Sequence, residues 1–160
     1  MKKSIVFLII LFFPLNIYAL SDTAKSTIAM DMDSGRILYQ KNADEQRLIA
    51  SITKIMTAVI AIENGNLDEE VTVGEEVLTM YGSNIYIELG EKMTLKNLLY
   101  GLMLRSGNDA AIVIAYHIGG TEEKFVEMMN AKAKEIGMKN TIYRNSHGLD
   151  ESTKNYSTAR

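Results

Sequence analysis

The 160-residue sequence contains no cysteine, a single proline and no run of basic residues. Without cysteine the chain has no disulfide scaffold, no zinc–thiolate site and no thiol nucleophile. The formal net charge is −3, and together with the missing basic run this argues against nucleic acid as a partner. No internal repeat and no low-complexity segment is present. The sequence therefore describes one ordinary folding unit whose core is stabilised by packing alone.

The N-terminal segment has the three-part pattern of a secretory signal peptide. Two lysines precede an apolar run from Ile5 to Leu15, and the small residue Ala19 follows. The run is short and contains Pro14, so it is a poor membrane span, although a retained N-terminal anchor is the alternative. We expect an exported protein that is cleaved after Ala19. Residues 20–160 would then form one domain of about 141 residues with a net charge of about −5.

Hydrophobic periodicity predicts a β-hairpin followed by a helix. Between Thr27 and Gln40, apolar and polar residues alternate on both sides of an Asp-Ser-Gly turn. Spacings of three and four then predict a helix that starts at or just after Ser51, and Gly65 is placed to end it. The predicted apolar stripe of this helix comprises Ile52, Ile55, Met56, Val59 and Ile62.

The remainder of the chain is predicted to be mainly helical. Short strands are compatible with residues 71–73 and 85–89. Three further helices are predicted at Thr94 to Leu104, at Asn108 or Asp109 to Ile118, and at Thr121 to Gly137, with the first residue of each as N-cap. A lone two-stranded sheet is marginal in water, so the hairpin requires partner strands that are not evident in this sequence.

The first motif with chemical potential is Ser51-Ile52-Thr53-Lys54. Positions i and i+3 share one helix face, so the Lys54 amine can approach the Ser51 hydroxyl. A lysine that is desolvated among apolar neighbours loses its proton more readily and can then act as a base. A serine at a helix start also lies near free backbone N–H groups that suit an oxyanion. The simpler interpretation is an N-cap serine and a surface lysine, because Ser-x-x-Lys is common by chance.

The second motif is Ser106-Gly107-Asn108, in a predicted loop between two helices. The Ser106 hydroxyl could relay a proton to a leaving group, and the Asn108 amide could hold the peptide group of a substrate. Glycine between them would let the loop turn with both side chains facing one way. An inter-helix turn with an asparagine cap is the alternative.

Longer stretches around both motifs resemble one protein family. Residues 49–58 and 98–111 closely resemble the active-site helix and the second motif of the low-molecular-mass penicillin-binding proteins, which are serine D-alanyl-D-alanine carboxypeptidases. Residues 145–150 and 156–159 resemble a downstream loop of the same family. The likeness extends from about Thr27 to the last residue, and its motifs are far longer than a bare Ser-x-x-Lys.

The resemblance implies an α/β (α+β) fold of the penicillin-binding-protein and β-lactamase-like transpeptidase type. By position, Ser51 matches the acylated nucleophile and Lys54 its general base. Ser106 matches the proton relay, and Asn108 matches a substrate-binding residue. His147 falls in the matching loop and is assigned no chemical step, and His117 is expected to be structural.

The same resemblance implies the partners of the protein. The substrate would be the D-Ala-D-Ala end of a peptidoglycan stem peptide, and β-lactams would acylate the same serine as inhibitors. No metal and no cofactor is implied. The expected location is the cell wall or periplasmic space, with the outer face of the cytoplasmic membrane as a further site.

The sequence departs from the family pattern because it contains no Lys-Thr-Gly motif. In the family this motif lies on a later strand that forms one wall of the cleft and supplies an oxyanion-hole donor. We therefore expect residues 20–160 to be a partial catalytic domain that lacks the remaining sheet strands, and to be inactive and poorly folded alone. A lesser departure is Ile49-Ala50, where many members have proline just before the first motif.

The function expected from the sequence is removal of the terminal D-alanine from stem pentapeptides through an acyl-enzyme. One alternative is a catalytically inactive truncated fragment of that family. Another, from a different class, is a secreted binding or interaction protein with no acyl transfer. A class A β-lactamase-like hydrolase is the further enzyme alternative, since it shares Ser-x-x-Lys. The sequence around Ser106 and the lack of an obvious deacylating Glu segment argue against it.

Overall fold

The computed structural model describes residues 22–150 and 153–160. The predicted signal peptide, residues 1–19, lies outside the described residues. The helices are α1 Thr53–Asn64, α2 Leu95–Arg105, α3 Asn108–Gly119 and α4 Glu122–Glu135, with 3₁₀ turns at Ala50–Ile52 and Glu75–Thr79. The strands are β1 Thr27–Met30, β2 Ile37–Lys41, β3 Arg47–Leu48, β4 Glu70–Thr72, β5 Lys92–Thr94 and β6 Tyr156–Ser157.

The strands of the described residues form three separate antiparallel pairs. β1 pairs with β2 as the predicted hairpin, with Thr27 opposite Lys41 and a register irregularity at Ala29 and Met30. β4 pairs with β5, and β3 pairs with β6. The last pairing joins the end of the described chain to the segment just before Ser51, and so brings two distant stretches to the candidate site.

Helix α3 lies at the centre of the helical body. It is apolar around most of its circumference, and residues 108–115 are all buried. It packs against α1, α2 and α4. The largest fully buried apolar side chains are Phe125, Leu95, Leu98, Leu102, Ile114 and Met129. The predicted helical body is thus confirmed, with α3 as the element around which the other helices pack.

The predicted helix ends are confirmed in part. The hydroxyls of Thr94 and Thr121 accept hydrogen bonds from the backbone N–H groups three residues later, at 3.2 and 3.3 Å. Gly65 is the C-cap of α1, as predicted. The predicted cap of α3 is wrong, because Gly107 is the N-cap residue and Asn108 is already helical.

The predicted apolar stripe of α1 is wrong for three of its five members. Ile52, Ile55 and Ile62 are 63, 56 and 57% exposed, whereas Met56 is buried. The buried face instead carries polar residues, among them Thr53 and Thr57, which are fully buried. These hydroxyls have hydrogen-bond partners from distant segments, which removes the cost of burying them.

The segment 85–89 is not a strand, contrary to the prediction. The backbone N–H groups of Ile85 and Ile87 donate to the Asp109 carboxylate, at 3.0–3.2 Å, rather than to a neighbouring strand. Tyr86 between them has a φ of 63°, which breaks the extended conformation.

No helix in the described part of the chain is long and apolar enough to cross a membrane.

Candidate active site

Lys54 is the centre of a hydrogen-bonded cluster in the first turn of α1. Its side chain is buried, and its Nζ lies 3.3 Å from Ser51 Oγ. The same Nζ donates to Asn108 Oδ1 and to the carbonyl oxygen of His147, each at 2.7 Å. The three acceptors match the three protons of an ammonium group. The structure therefore brings together residues that are 54 and 93 positions apart from Lys54.

Burial lowers the pKa of Lys54 from its ordinary value to about 8, while the nearby Asp109 carboxylate acts in the opposite direction. Desolvation has this effect because it disfavours the charged form of the amine. A lysine with a pKa of about 8 is neutral in about a tenth of molecules at pH 7. With the ordinary value, the neutral fraction would be about 300-fold smaller.

Ser51 lies in the 3₁₀ turn that precedes α1, and its side chain is exposed. Ala50, before it, has a φ of 43°, a conformation that costs a residue with a Cβ about 1 kcal/mol. On its other side the turn touches Gly148, whose φ is 86° and whose Cα faces the Ala50 carbonyl. Ser51 is thus exposed to solvent, while the backbone of the turn packs closely against Gly148.

Asn108 is buried at the first position of α3, where both ends of its amide are engaged. Its Oδ1 accepts from Lys54, and its Nδ2 donates to the carbonyl of Tyr81 at 2.7 Å. These two bonds fix the orientation of the amide. In this structure Asn108 holds the Lys54 amine, and its assignment as a substrate-binding residue stays a prediction.

Ser106 ends helix α2 in a left-handed conformation, with φ 57° and ψ 36°. Among residues 22–150 and 153–160, none of the hydrogen bonds of the site involves the Ser106 hydroxyl. The predicted reason for Gly107 is wrong, because its φ is −61° and it makes no glycine-specific turn. Glycine is needed there for space: a Cβ would lie 2.8 Å from Asp109 Oδ1 and 3.3 Å from the Ile85 side chain.

Asp109 is a buried residue whose part in the site was missed from the sequence. Its carboxylate accepts from the N–H groups of Ile85 and Ile87, and from that of Ala110 at 2.8 Å. It therefore fixes residues 85–87 against the start of α3. An acidic residue in the first turn of an otherwise apolar helix was the available signal.

The loop at residues 145–150 packs against the buried polar face of α1. The Ser146 carbonyl accepts from Thr57 Oγ1 at 2.6 Å, and the next carbonyl, that of His147, accepts from Lys54. Asn155, fully buried, donates to Thr53 Oγ1 at 2.8 Å and to the Asn145 side chain at 3.0 Å. Sequence reasoning found this loop only through resemblance, because its contacts are made largely by backbone atoms.

The other histidine, His117, lies outside the hydrogen-bonded cluster of Lys54. The Nε2 of His117, on α3, lies 3.4 Å from Glu69 Oε2. Among residues 22–150 and 153–160, no group of three or more histidine, cysteine or acidic side chains is arranged to hold a metal ion.

Solved structures similar to this chain include D-alanyl-D-alanine carboxypeptidases and penicillin-binding proteins. The D-alanyl-D-alanine carboxypeptidase DacD from Francisella tularensis superimposes with a TM-score of 0.80 at 36% identity, over 92% of this chain and 40% of that one. Penicillin-binding protein 5 from Haemophilus influenzae gives a TM-score of 0.79 at 35% identity, over 88% and 43%. These likenesses confirm the predicted fold class.

The family itself follows from the sequence matches. A family model described as D-alanyl-D-alanine carboxypeptidase, peptidase family S11, matches residues 17–160. The D-alanyl-D-alanine carboxypeptidase DacF of Bacillus subtilis is 44% identical over 137 residues, which cover 82% of this chain and 35% of DacF. DacC of Escherichia coli is 36% identical over 148 residues, which cover 86% and 37%. The chain belongs to the D-alanyl-D-alanine carboxypeptidase family, and it spans about a third of the length of these curated relatives.

Proposed function

We propose that this chain carries the nucleophile and the general base of a serine D-alanyl-D-alanine carboxypeptidase. The substrate class is the peptidoglycan stem pentapeptide, from which the enzyme removes the terminal D-alanine. The observation that carries the proposal is the buried Lys54 amine, 3.3 Å from the Ser51 hydroxyl and held on its other sides by Asn108 and His147. Family membership supports the choice of substrate.

The chemistry proceeds in two halves. The Ser51 oxygen attacks the carbonyl carbon of the penultimate D-alanine while neutral Lys54 takes the hydroxyl proton. The peptide C–N bond then breaks, the terminal D-alanine leaves as its amine after receiving a proton, and an ester to Ser51 remains. Ser106 is assigned the relay of that proton to the leaving amine. Water then cleaves the ester, which releases the shortened peptide and restores the serine.

The electrostatics of the site suit this cycle. The Lys54 amine is neutral often enough at pH 7 to accept a proton, since burial lowers its pKa to about 8. Once it is protonated, the Asn108 and His147 oxygens accept from it and the Asp109 carboxylate opposes the desolvation. The environment of the Lys54 amine therefore accommodates both its neutral and its protonated form, as a general base requires.

Covalent labelling tests the proposal directly. Full-length protein is incubated with labelled penicillin, and D-alanine release from a pentapeptide is measured in parallel. Ser51→Ala should abolish the label, whereas Ser34→Ala, in the exposed β1–β2 turn, should keep it. Labelling that persists in Ser51→Ala would remove the nucleophile assignment. Rapid β-lactam hydrolysis would favour the β-lactamase-like alternative, and labelling without D-alanine release would favour a binding role.

Export is part of the same proposal, because the substrate class lies outside the cytoplasm. The lysine pair, the apolar run and Ala19 support cleavage after residue 19. Mass spectrometry of the protein recovered from the cell wall or periplasmic space should give Leu20 as its first residue. Recovery with Met1 intact would contradict the proposal.

A further inference from the structure

Glu122 connects the first turn of α4 to the loop behind the candidate active site. Its side chain is 25% exposed, and its Oε1 accepts from both the backbone N–H and the hydroxyl of Ser146, at 2.9 and 2.7 Å. The same oxygen lies 3.7 Å from His147 Nε2. One carboxylate oxygen therefore anchors Ser146 through two hydrogen bonds and lies beside the side chain of the next residue.

The anchored residue and its successor are the ones whose carbonyls face α1. Ser146 presents its carbonyl to Thr57 Oγ1, and His147 presents its carbonyl to Lys54 Nζ. Because the two carbonyls are consecutive, a shift of Ser146 moves the His147 carbonyl with it. Glu122 thus reaches the Lys54 amine through two consecutive loop residues, Ser146 and His147, and without touching the reacting atoms.

We infer that Glu122 is a positioning residue for the Lys54 amine, acting through the Ser146 backbone and the His147 carbonyl. The inference rests on the proposed function in one respect, the use of Lys54 as the general base. The hydrogen bonds at Ser146 carry it, because Ser146 is fully buried and a donor that loses its acceptor there is left unsatisfied.

The imidazole of His147 is not the ionic partner of Glu122 at neutral pH. Burial lowers the pKa of His147, the Glu122 carboxylate acts against this, and the Lys54 ammonium adds to it. This direction favours the neutral ring at pH 7, and the hydrogen bonds that Glu122 accepts are those donated by Ser146. An amide oxygen at position 122 could accept the same two bonds.

The neighbouring residue Glu123 provides a matched control. Both glutamates lie in the first turn of α4, where either carboxylate interacts favourably with the helix dipole. Glu123 is exposed and makes no hydrogen bond to the loop among the described residues. Any effect of Glu122→Ala that exceeds that of Glu123→Ala is therefore due to the loop.

The test compares Glu122→Ala, Glu122→Gln and Glu123→Ala in the full-length protein. Labelled-penicillin kinetics separate the maximal acylation rate from the preceding binding constant, and amide hydrogen exchange reports on residues 145–149. Glu122→Ala should lower the maximal rate about tenfold or more, with binding unchanged, because a small misplacement of the base is costly. Exchange in residues 145–149 should quicken. Glu122→Gln should restore the rate, and Glu123→Ala should resemble the unmodified protein.

Several results would overturn the inference. One is a Glu122→Ala rate equal to that of Glu123→Ala, and another is a Glu122→Gln variant as slow as Glu122→Ala. If Glu122→Ala fails to fold, Ser146→Ala removes one of the two bonds and should slow acylation about fivefold; an unchanged rate then refutes the role. If the unmodified protein is not acylated, the proposed function fails, and the anchoring of the loop by Glu122 is then tested by amide hydrogen exchange alone. Equal exchange at 145–149 in Glu122→Ala and Glu123→Ala would then refute the anchoring.

Discussion

Replacing Lys54 by arginine separates a general base from a structural cation. Arginine keeps the positive charge, but its guanidinium cannot be deprotonated in a protein. If Lys54 takes the Ser51 proton, Lys54→Arg should slow acylation by about 10²- to 10⁴-fold, the usual contribution of a general base. The matched control is Lys96→Arg, which changes an exposed lysine on α2.

The pKa of Lys54 sets a second, independent expectation. The burial that lowers this pKa to about 8 makes the amine fully protonated well below pH 8 and neutral above it. Because only the neutral amine accepts a proton, the acylation rate should rise with pH. The neutral fraction is about a tenth at pH 7 and about a hundredth at pH 6, so the rate should differ about tenfold between these values and level off above about pH 9.

Pre-steady-state labelling of the full-length protein between pH 6 and 9.5 measures both effects. The unmodified protein and Lys96→Arg should share one rising profile with a midpoint near 8. Near-normal acylation by Lys54→Arg would refute the base role. A flat profile between pH 6 and 9 would show that the titrating group is not Lys54 in the environment described above.

Two further substitutions test the supports of the site. Gly148→Ala should slow acylation and lower the unfolding free energy by about 1–3 kcal/mol. The reason is that residue 148 has a positive φ and that an added Cβ would collide with the Ala50 carbonyl. A melting temperature and an acylation rate equal to those of the unmodified protein would contradict this. Asp109→Ala should cost about 2–4 kcal/mol, because buried N–H groups in segment 85–87 lose their acceptor, whereas the exposed Asp33→Ala should cost almost nothing in the same denaturant titration.

Local patterns in the sequence were sufficient for most of the secondary structure. The hairpin, the four helices and the threonine caps at Thr94 and Thr121 follow from periodicity and from side chains that bond within one turn. The approach of Lys54 to Ser51 belongs to the same class, because an i, i+3 pair is close on any helix. These features depend on neighbours in the chain, which a sequence displays directly.

Tertiary structure decided which faces are buried and what surrounds the amine. Periodicity predicts that Ile52 and Ile55 are buried, yet both are exposed, and the buried face of α1 includes the polar residues Thr53 and Thr57. Their hydroxyls can be buried because they find an acceptor and a donor in the 145–155 segment. Segment 85–89 alternates like a strand, but its N–H groups bond to a carboxylate on α3.

The same division holds for the candidate site. Ser51 and Lys54 could be found from the sequence, together with the Ser106–Asn108 motif. The contacts of Lys54 with Asn108 and with the His147 carbonyl join positions 54 and 93 residues away, and a backbone carbonyl carries no sequence signal. The lowered pKa of Lys54 depends on burial, which exists only once α1, α3 and the 145–150 loop have packed together.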